Sequence, residues 1–216
     1  HLGVDDIDSY VLHGPSTRRG IAQADLEVWR AMEALLEDDR VGAIGISNAS
    51  AEDFARYRAA GEVASIQEMF SMVDREQEFT NFVTAREHGV ATLVYSPLAM
   101  GMLSGNCGPE RVFADDDNRS WSPRFSVENR REVSGLIDGL KPIAADLELT
   151  VPQLVIRWTL SRPTVTHVLN GARTVEQAKE NAKAASAELD PAATETIDRL
   201  LDLHAVELPH PFLPEE

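Results

Sequence analysis

The chain has 216 residues, 43% hydrophobic and 26% charged, a composition that suits one soluble globular domain with a sizeable core. Its 36 acidic and 20 basic residues give a net charge of −16, which disfavours any general affinity for nucleic acid or membrane surfaces, so an anionic ligand has to be held by a local site. No run approaches the roughly 18 consecutive apolar residues that span a bilayer, and the first residues of the sequence do not read as a basic-then-apolar signal-peptide pattern. Cys107 is the single cysteine, which excludes an intrachain disulfide and a cysteine zinc cluster; a reducing, cytoplasmic location is expected, with Cys107 an ordinary loop thiol. Because the first residue is His1 rather than Met, we expect a piece of a longer protein.

Residues 7–13 form a β-favouring run that ends at His13 and is stopped by Gly14-Pro15. A polar loop, Ser16 to Gln23, follows. From Ala24 to Asp38, Leu26, Trp29, Met32, Leu35 and Leu36 recur at helical spacing. Val41-Gly-Ala-Ile-Gly-Ile46 reads as a buried strand whose small residues let neighbouring groups come close, closed by Ser47-Asn48. Ser50 caps a helix carrying Phe54 and Tyr57, and Ala64 to Phe70 is the next strand. Glu76 to His88 reads as a helix with Phe79, Phe82 and Val83 inward and Gly89 at its end.

Thr92 to Tyr95 is the fourth strand. After it, Ser96 to Gly105 and a polar stretch to about Pro123, with Asp115-Asp-Asp117 and Trp121, are too long for a mere connection; such loops are usually lids or mobile segments. Val127 to Leu147 is predicted helical, with a break expected at Pro142. Thr150, Pro152 and Gln153 open the next helix, filled by Leu154, Val155, Trp158 and Leu160. A buried strand at 165–169, a turn at Gly171 and a helix capped by Thr174 with Gln177 come next. That helix start offers unpaired N–H groups, and Arg173 adds a planar fork of donors suited to phosphate. Taken alone, this pattern is more often an ordinary strand-to-helix connection. Asp190-Pro191 starts a last helix with Ile197, Leu200 and Leu201 inward; residues 1–208 read as the domain and 209–216 as an irregular tail.

The order strand, loop, helix occurs five times, which implies parallel strands with right-handed crossovers. An open doubly wound sheet and part of a (β/α)8 barrel both fit. No Gly-x-Gly-x-x-Gly follows any strand, so the α/β barrel of TIM type is favoured. Function in such layouts collects at the carboxyl ends of strands, here His13, Ser47-Asn48, Gln67, Tyr95-Ser96 and Gly171 to Arg173. No carboxylate pair, metal-ligand spacing or Gly-x-Ser-x-Gly elbow stands there.

At these positions the chain resembles the C-terminal two-thirds of the aldo-keto reductase family, from its fourth barrel strand onward. Asp5-Asp-Ile-Asp-Ser-Tyr-Val-Leu-His13 resembles the family's fourth strand, and Arg40-Val-Gly-Ala-Ile-Gly-Ile-Ser-Asn48 its fifth, "K-V-R-x-I-G-V-S-N". Tyr95-Ser-Pro-Leu-Ala-Met-Gly-Met-Leu-Ser-Gly105 is similar to "Y-S-P-L-A-x-G-x-L-T-G", and residues 171–181 to "G-A-R-x-x-x-Q-x-x-E-N". The resemblance implies five of the eight βα units, strands 4–8, and NADP(H)-dependent reduction of an aldehyde or ketone to an alcohol. By position it implies that His13 hydrogen-bonds the substrate carbonyl; Ser47, Asn48 and Gln67 hold the nicotinamide carboxamide; and Tyr95 stacks on the ring. It likewise implies that Ser96, Leu98 and Gly101 lie over the pyrophosphate, that Gly171 opens the anion seat, that Arg173 pairs with the adenosine 2′-phosphate, and that Gln177, Glu180 and Asn181 contact adenosine. Each has a plainer alternative: a structural histidine, helix capping for Ser47 and Asn48, rim packing for Tyr95, and surface positions for the last three.

The family's proton donor is a tyrosine whose pKa a lysine and an aspartate lower, and none of Tyr10, Tyr57 and Tyr95 matches it. All three catalytic residues precede the fourth strand in the family, so this chain alone is expected to be inactive, with open barrel edges at 7–13 and 165–169 available for self-association. Asn170, Asn106, Gly14 and Ser16 also depart from the family pattern, and Asn106 stands where a lysine is common. Two other readings are a naturally shortened, non-catalytic relative that binds a nucleotide or a partner, and an unrelated barrel enzyme with another phosphate ligand.

Overall fold

The computed structural model of the protein describes residues 3–14 and 22–211. The polar loop expected from Ser16 lies outside the described residues up to position 21, as does the tail from position 212. Among the described residues five strands, β1 (Tyr10–Leu12), β2 (Ile44–Ser47), β3 (Ser65–Met69), β4 (Ala91–Tyr95) and β5 (His167–Leu169), form one sheet in the order β1-β2-β3-β4-β5. The pairs β1–β2, β2–β3 and β3–β4 are parallel. Between and after the strands run α1 (Ala22–Glu37), α2 (Ala51–Ala60), α3 (Asn81–Glu87), α4 (Val127–Asp146), α5 (Val151–Ser161), α6 (Val175–Lys183) and α7 (Pro191–His204). A sheet whose spatial order repeats its chain order is what successive crossovers of one hand produce.

The chain divides into two compact units. The first comprises His1–Met69, Glu76–Tyr95 and Pro163–His167. Ile44, Ile46, Ile66 and Val94 on its strands are fully buried, with Phe54 and Phe82 from α2 and α3. Trp29 of α1 meets Tyr57 of α2 with ring centroids 4.9 Å apart. Arg56 binds Asp25 of α1 at 3.3 Å and Asp53 of its own helix at 3.1 Å. The Ser50 cap of α2 forms a complete capping box with Asp53. Gly42 and Gly45 do bring strands close, since a Cβ on Gly45 would sit 2.2 Å from Ser65 Oγ and 2.7 Å from the Ser65 carbonyl oxygen.

The second unit comprises Phe70–Arg75, Ser96–Arg162 and Val168–Glu216. Phe70 stacks on Trp158 of α5, centroids 6.0 Å apart, while the indole N–H donates to Asp198 of α7 at 2.9 Å. Arg124, 1% exposed, donates to both Asp74 oxygens at 2.8 and 2.6 Å and to the Pro209 carbonyl at 2.9 Å, so the tail is tied down where it begins.

Some expectations are corrected. The loop before α1 ends two residues early, because α1 begins at Ala22. No break occurs at Pro142: α4 is continuous, since Val133, Leu136, Ile137, Leu140 and Ala144 bury its inner face on both sides of the proline, and that packing outweighs a cost of about 3 kcal/mol. The predicted helix at 76–88 is a 3₁₀ turn, Glu76–Phe79, followed by α3; the tighter turn leaves Phe79 75% exposed rather than inward. Leu35 is also exposed, because the buried stripe of α1 runs through Trp29 and Met32, and the strand at 165–169 is not buried: His167 and Leu169 are exposed, since β5 stands last in the sheet order.

Two outcomes follow. Gly45→Ala forces a Cβ into the Ser65 backbone and should lower stability by about 1–3 kcal/mol, read as a shift of the urea midpoint with unchanged slope. Burial pushes Tyr57 from 10.0 up to about 12, with the Asp25 charge adding to the rise. The folded state therefore keeps this proton longer, and the stability it contributes is present below about pH 10 and lost as pH rises through about 12. Ultraviolet titration should show one phenol ionising late, and Tyr57→Phe should remove that slope from the stability curve.

Candidate functional site

At the carboxyl ends of β2, β3 and β4 the first unit gathers four of the side chains singled out from sequence. The parallel register sets Ser47 opposite Gln67, and Tyr95 ends β4 opposite Met69. Ser47, with no exposed surface, donates its hydroxyl to the Gln67 carbonyl at 2.8 Å. Its oxygen accepts from the side-chain amides of Asn48 at 3.1 Å and Gln67 at 3.4 Å. Tyr95 donates its hydroxyl to Asn48 Oδ1 at 2.6 Å. Asn48 thus has both ends of its amide fixed, and its backbone takes the left-handed region at φ 54°, which Asn tolerates better than most residues. Ser47 is a hub beneath Asn48 and Gln67, and the two amides and the phenol present the polar surface above it.

This cluster rests on a buried second layer. Glu68, 3% exposed, accepts from the Ala49 N–H at 2.9 Å, and Asn81 donates to the Ala49 carbonyl at 2.6 Å. Both were missed in the sequence; a glutamate inside an otherwise buried strand is the signal that would have found the first. His13 lies one residue past β1 and is exposed. Since Leu12 pairs with Ile46, continuing the register sets His13 beside Ser47.

The second unit holds the remaining positions. After β4 the chain bends through a segment in which Ser96, Ala99 and Met100 all have positive φ, as do Gly101 at 94° and Gly105 at 78°. Ala99 and Met100 are consecutive non-glycine residues at positive φ and so are strained, and such strain persists where the surroundings over-determine it. Leu98 supplies the carbonyl that accepts from the Gly101 and Leu103 N–H groups, and Ser104 Oγ donates to the Gly101 carbonyl at 2.6 Å.

Over Gly101 lies a residue that sequence reading overlooked: a Cβ there would be 3.5 Å from Arg119 Nη1. Arg119 Nε donates to Asp117 Oδ1 and Oδ2 at 2.9 and 3.1 Å and its Nη2 to Oδ2 at 2.5 Å, and the guanidinium packs over Phe113 at 4.7 Å. These hydrogen bonds, with a smaller contribution from the Arg173 charge, hold the Asp117 carboxyl down at about 2. In sequence Arg119 was one basic residue in a polar loop, and no spacing marked it. The same loop is anchored by Arg130, which donates to the Gly108, Arg111 and Phe125 carbonyls. Cys107 is buried, which pushes its thiol up despite nearby arginines.

Helix α6 starts as expected at Thr174, whose hydroxyl accepts from the Gln177 N–H at 3.2 Å. The capping box is only half made, because Gln177 Oε1 accepts from the Arg173 N–H at 2.8 Å instead of from the cap residue. Gly171, Arg173 and Gln177 are exposed. Asn181 donates to the Gly171 carbonyl at 3.3 Å. Glu180 is occupied structurally: its carboxylate accepts from the Thr150 hydroxyl at 2.9 Å and its carbonyl from Gln153 at 3.1 Å, at the start of α5. Among the described residues no cluster of His, Cys, Asp and Glu could hold a metal, and no helix is long and apolar enough to cross a membrane.

The sequence model of the aldo/keto reductase family matches residues 1–202. The chain is 30% identical over 191 residues to an Escherichia coli protein named NADH-specific methylglyoxal reductase, covering 88% of this chain and 58% of that protein. It is 31% identical over 173 residues to aldo-keto reductase YhdN of Bacillus subtilis, covering 80% and 51%. Among solved structures, the glycerol dehydrogenase AKR11B4 from Gluconobacter oxydans superposes with a TM-score of 0.85 at 25% identity, over 99% of this chain and 64% of that one. The holo form of aldo-keto reductase AKR11C1 from Bacillus halodurans does so with a TM-score of 0.66 at 26% identity, over 91% and 62%. The chain thus spans between about half and two-thirds of the length of these relatives. Motifs, parallel α/β order of TIM-barrel kind and these likenesses agree, and the chain belongs to the aldo/keto reductase family.

Proposed function

We propose that this chain is the cofactor-holding part of an oxidoreductase that reduces a small aldehyde or ketone to an alcohol with a nicotinamide dinucleotide, NADP(H) in preference to NAD(H). The observation that carries the proposal is the Ser47, Asn48, Gln67 and Tyr95 cluster at the strand ends. A carboxamide has one acceptor and two donors, and the Asn48 and Gln67 amides offer both kinds in return. Because the buried Ser47 hydroxyl and the Tyr95 phenol fix these amides beforehand, little ordering entropy remains to be lost on binding. The cofactor supplies the hydride. Tyr95 offers its ring for stacking against the nicotinamide, and His13 offers a ring N–H to a carbonyl oxygen on which charge develops.

In the second unit Ser96, Leu98 and Gly101 would line the pyrophosphate, since the bend at Gly101 brings backbone close without a side chain. Arg173, Gly171 and the first N–H groups of α6 would take the 2′-phosphate, with Gln177, Glu180 and Asn181 toward the adenosine. Arg173 is the reason for preferring the phosphorylated cofactor, although one relative is named for NADH.

We place β1–β5 as strands 4–8 of a (β/α)8 barrel, with residues 1–208 one partial domain and the catalytic tyrosine, lysine and aspartate in the other βα units. Two facts support this. The match to the glycerol dehydrogenase AKR11B4 covers 99% of this chain but 64% of that one, and Tyr57, with its pKa pushed up to about 12, is the reverse of an activated phenol. The exposed Tyr10 and Leu169 on β1 and β5 are where those units, or a second copy of the chain, would pair. Lone Cys107 accords with a cytoplasmic enzyme.

Calorimetric titration of the intact protein tests the cofactor assignment. Asn48→Ala should weaken NADPH and NADH alike, by about tenfold, because the carboxamide is common to both. Arg173→Gln should weaken NADPH by about tenfold or more and leave NADH nearly unchanged. Wild-type protein that binds neither cofactor at millimolar concentration would overturn the reading.

A further inference from the structure

We propose that Glu68 and Asn81 are positioning residues of the carboxamide site: they fix the peptide groups on either side of Ala49 and so hold Asn48 in the backbone conformation that aims its side chain. The proposal rests on the cofactor assignment above, and all of its residues lie in the first unit. The Ala49 N–H donates to Glu68 Oε1 at 2.9 Å, and the Ala49 carbonyl accepts from Asn81 Nδ2 at 2.6 Å. Both side chains are buried, as is Ala49. Glu68 comes from β3 and Asn81 opens α3, and they converge on the short link between the end of β2 and the Ser50 cap of α2.

The Ala49 N–H shares a rigid peptide plane with the Asn48 carbonyl, so the direction of that N–H sets the ψ angle of Asn48. Asn48 has φ 54°, a left-handed conformation that a short polar side chain tolerates but does not favour unaided. Its own N–H donates to the Gln67 carbonyl at 3.1 Å. With that bond on one side and the Glu68 bond on the other, both peptide planes flanking Asn48 are fixed, and its Cβ has one direction. From there Nδ2 meets Ser47 and Oδ1 meets the Tyr95 hydroxyl. If Glu68 released the Ala49 N–H, the buried donor would have to turn toward another acceptor, and Asn48 would turn with it. Successive side chains of a strand point to opposite faces, so Gln67 serves the cluster while Glu68 reaches the peptide behind it. A carboxylate in a buried strand costs desolvation that an aliphatic residue avoids, and here its hydrogen bond secures backbone beside the site.

The test is a set of calorimetric titrations on the intact protein with NADPH, NADH and the same two molecules without their nicotinamide, 2′-phospho-ADP-ribose and ADP-ribose. Glu68→Asp keeps the charge but withdraws the carboxylate by one methylene. It should weaken NADPH and NADH by about tenfold and change the two nicotinamide-free probes by less than about twofold. Glu68→Gln keeps the length and an acceptor oxygen and should restore cofactor binding to within about threefold of wild type. Asn81→Ala, acting on the other side of Ala49, should show the same split as Glu68→Asp. The double variant Glu68→Asp/Asn48→Ala should bind no more weakly than Asn48→Ala alone, because Glu68 acts through Asn48. Equal weakening of probes with and without nicotinamide, unchanged cofactor binding in both Glu68→Asp and Asn81→Ala, a Glu68→Gln variant as weak as Glu68→Asp, or additive losses in the double variant would overturn the proposal and leave the cofactor assignment standing. Loss of fold by circular dichroism in both Glu68→Asp and Asn81→Ala would overturn it too, since the two side chains would then be holding the core. Wild-type protein that binds neither cofactor removes the assignment as well.

Discussion

Parallel pairing governs what this chain can do. Two neighbouring parallel strands cannot be joined by a tight turn, so each connection crosses over through a helix and every strand begins again at the same edge of the sheet. In the first unit this aligns the carboxyl ends of β1 to β4, and side chains separated by 20 and 47 residues in sequence come within hydrogen-bond distance. Ser47 can serve Gln67, and Tyr95 can reach Asn48, only because the register holds three strands in step. A slip by one residue would turn each of these side chains to the opposite face.

The Ser47 hydroxyl shows how such a cluster is made rigid. It is buried, donates once and accepts twice, so all of its hydrogen-bonding capacity is used inside the protein. The amides above it are thereby aimed, and the backbone of Asn48 bears the left-handed strain at a residue type suited to it. Preorganised polar groups at a strand end are what a cofactor that must present one face of its ring requires. The second unit uses a different device: a bend through several residues at positive φ, with an arginine laid over its glycine and held by a nearby carboxylate.

Much of this architecture is legible in the residues. The strand positions are correct because each is a short β-favouring run between turn residues, and the caps at Ser50, Thr150, Thr174 and Asp190 are all in place because a hydroxyl or carboxylate at a helix start has an N–H within reach. Phe79, Leu35 and Pro142 are misread for one shared reason: local periodicity does not report how wide a buried stripe is or whether a helix tightens its turn. Glu180 has a similar lesson, since the spacing that sets it on one face of α6 with Gln177 and Asn181 also lets it meet Thr150 and Gln153 at the start of α5.

By itself the sequence determined the parallel α/β order, the family, and which side chains stand at strand ends, because hydrophobic period, turn residues and short motifs are local properties of the chain. Tertiary structure alone decided that Ser47 is a buried hub joining Asn48 and Gln67, that Glu68 and Asn81 support Ala49, and that Arg119 lies over Gly101 in the grip of Asp117. Those relations depend on distance and burial between segments far apart in the chain, and no local pattern encodes them.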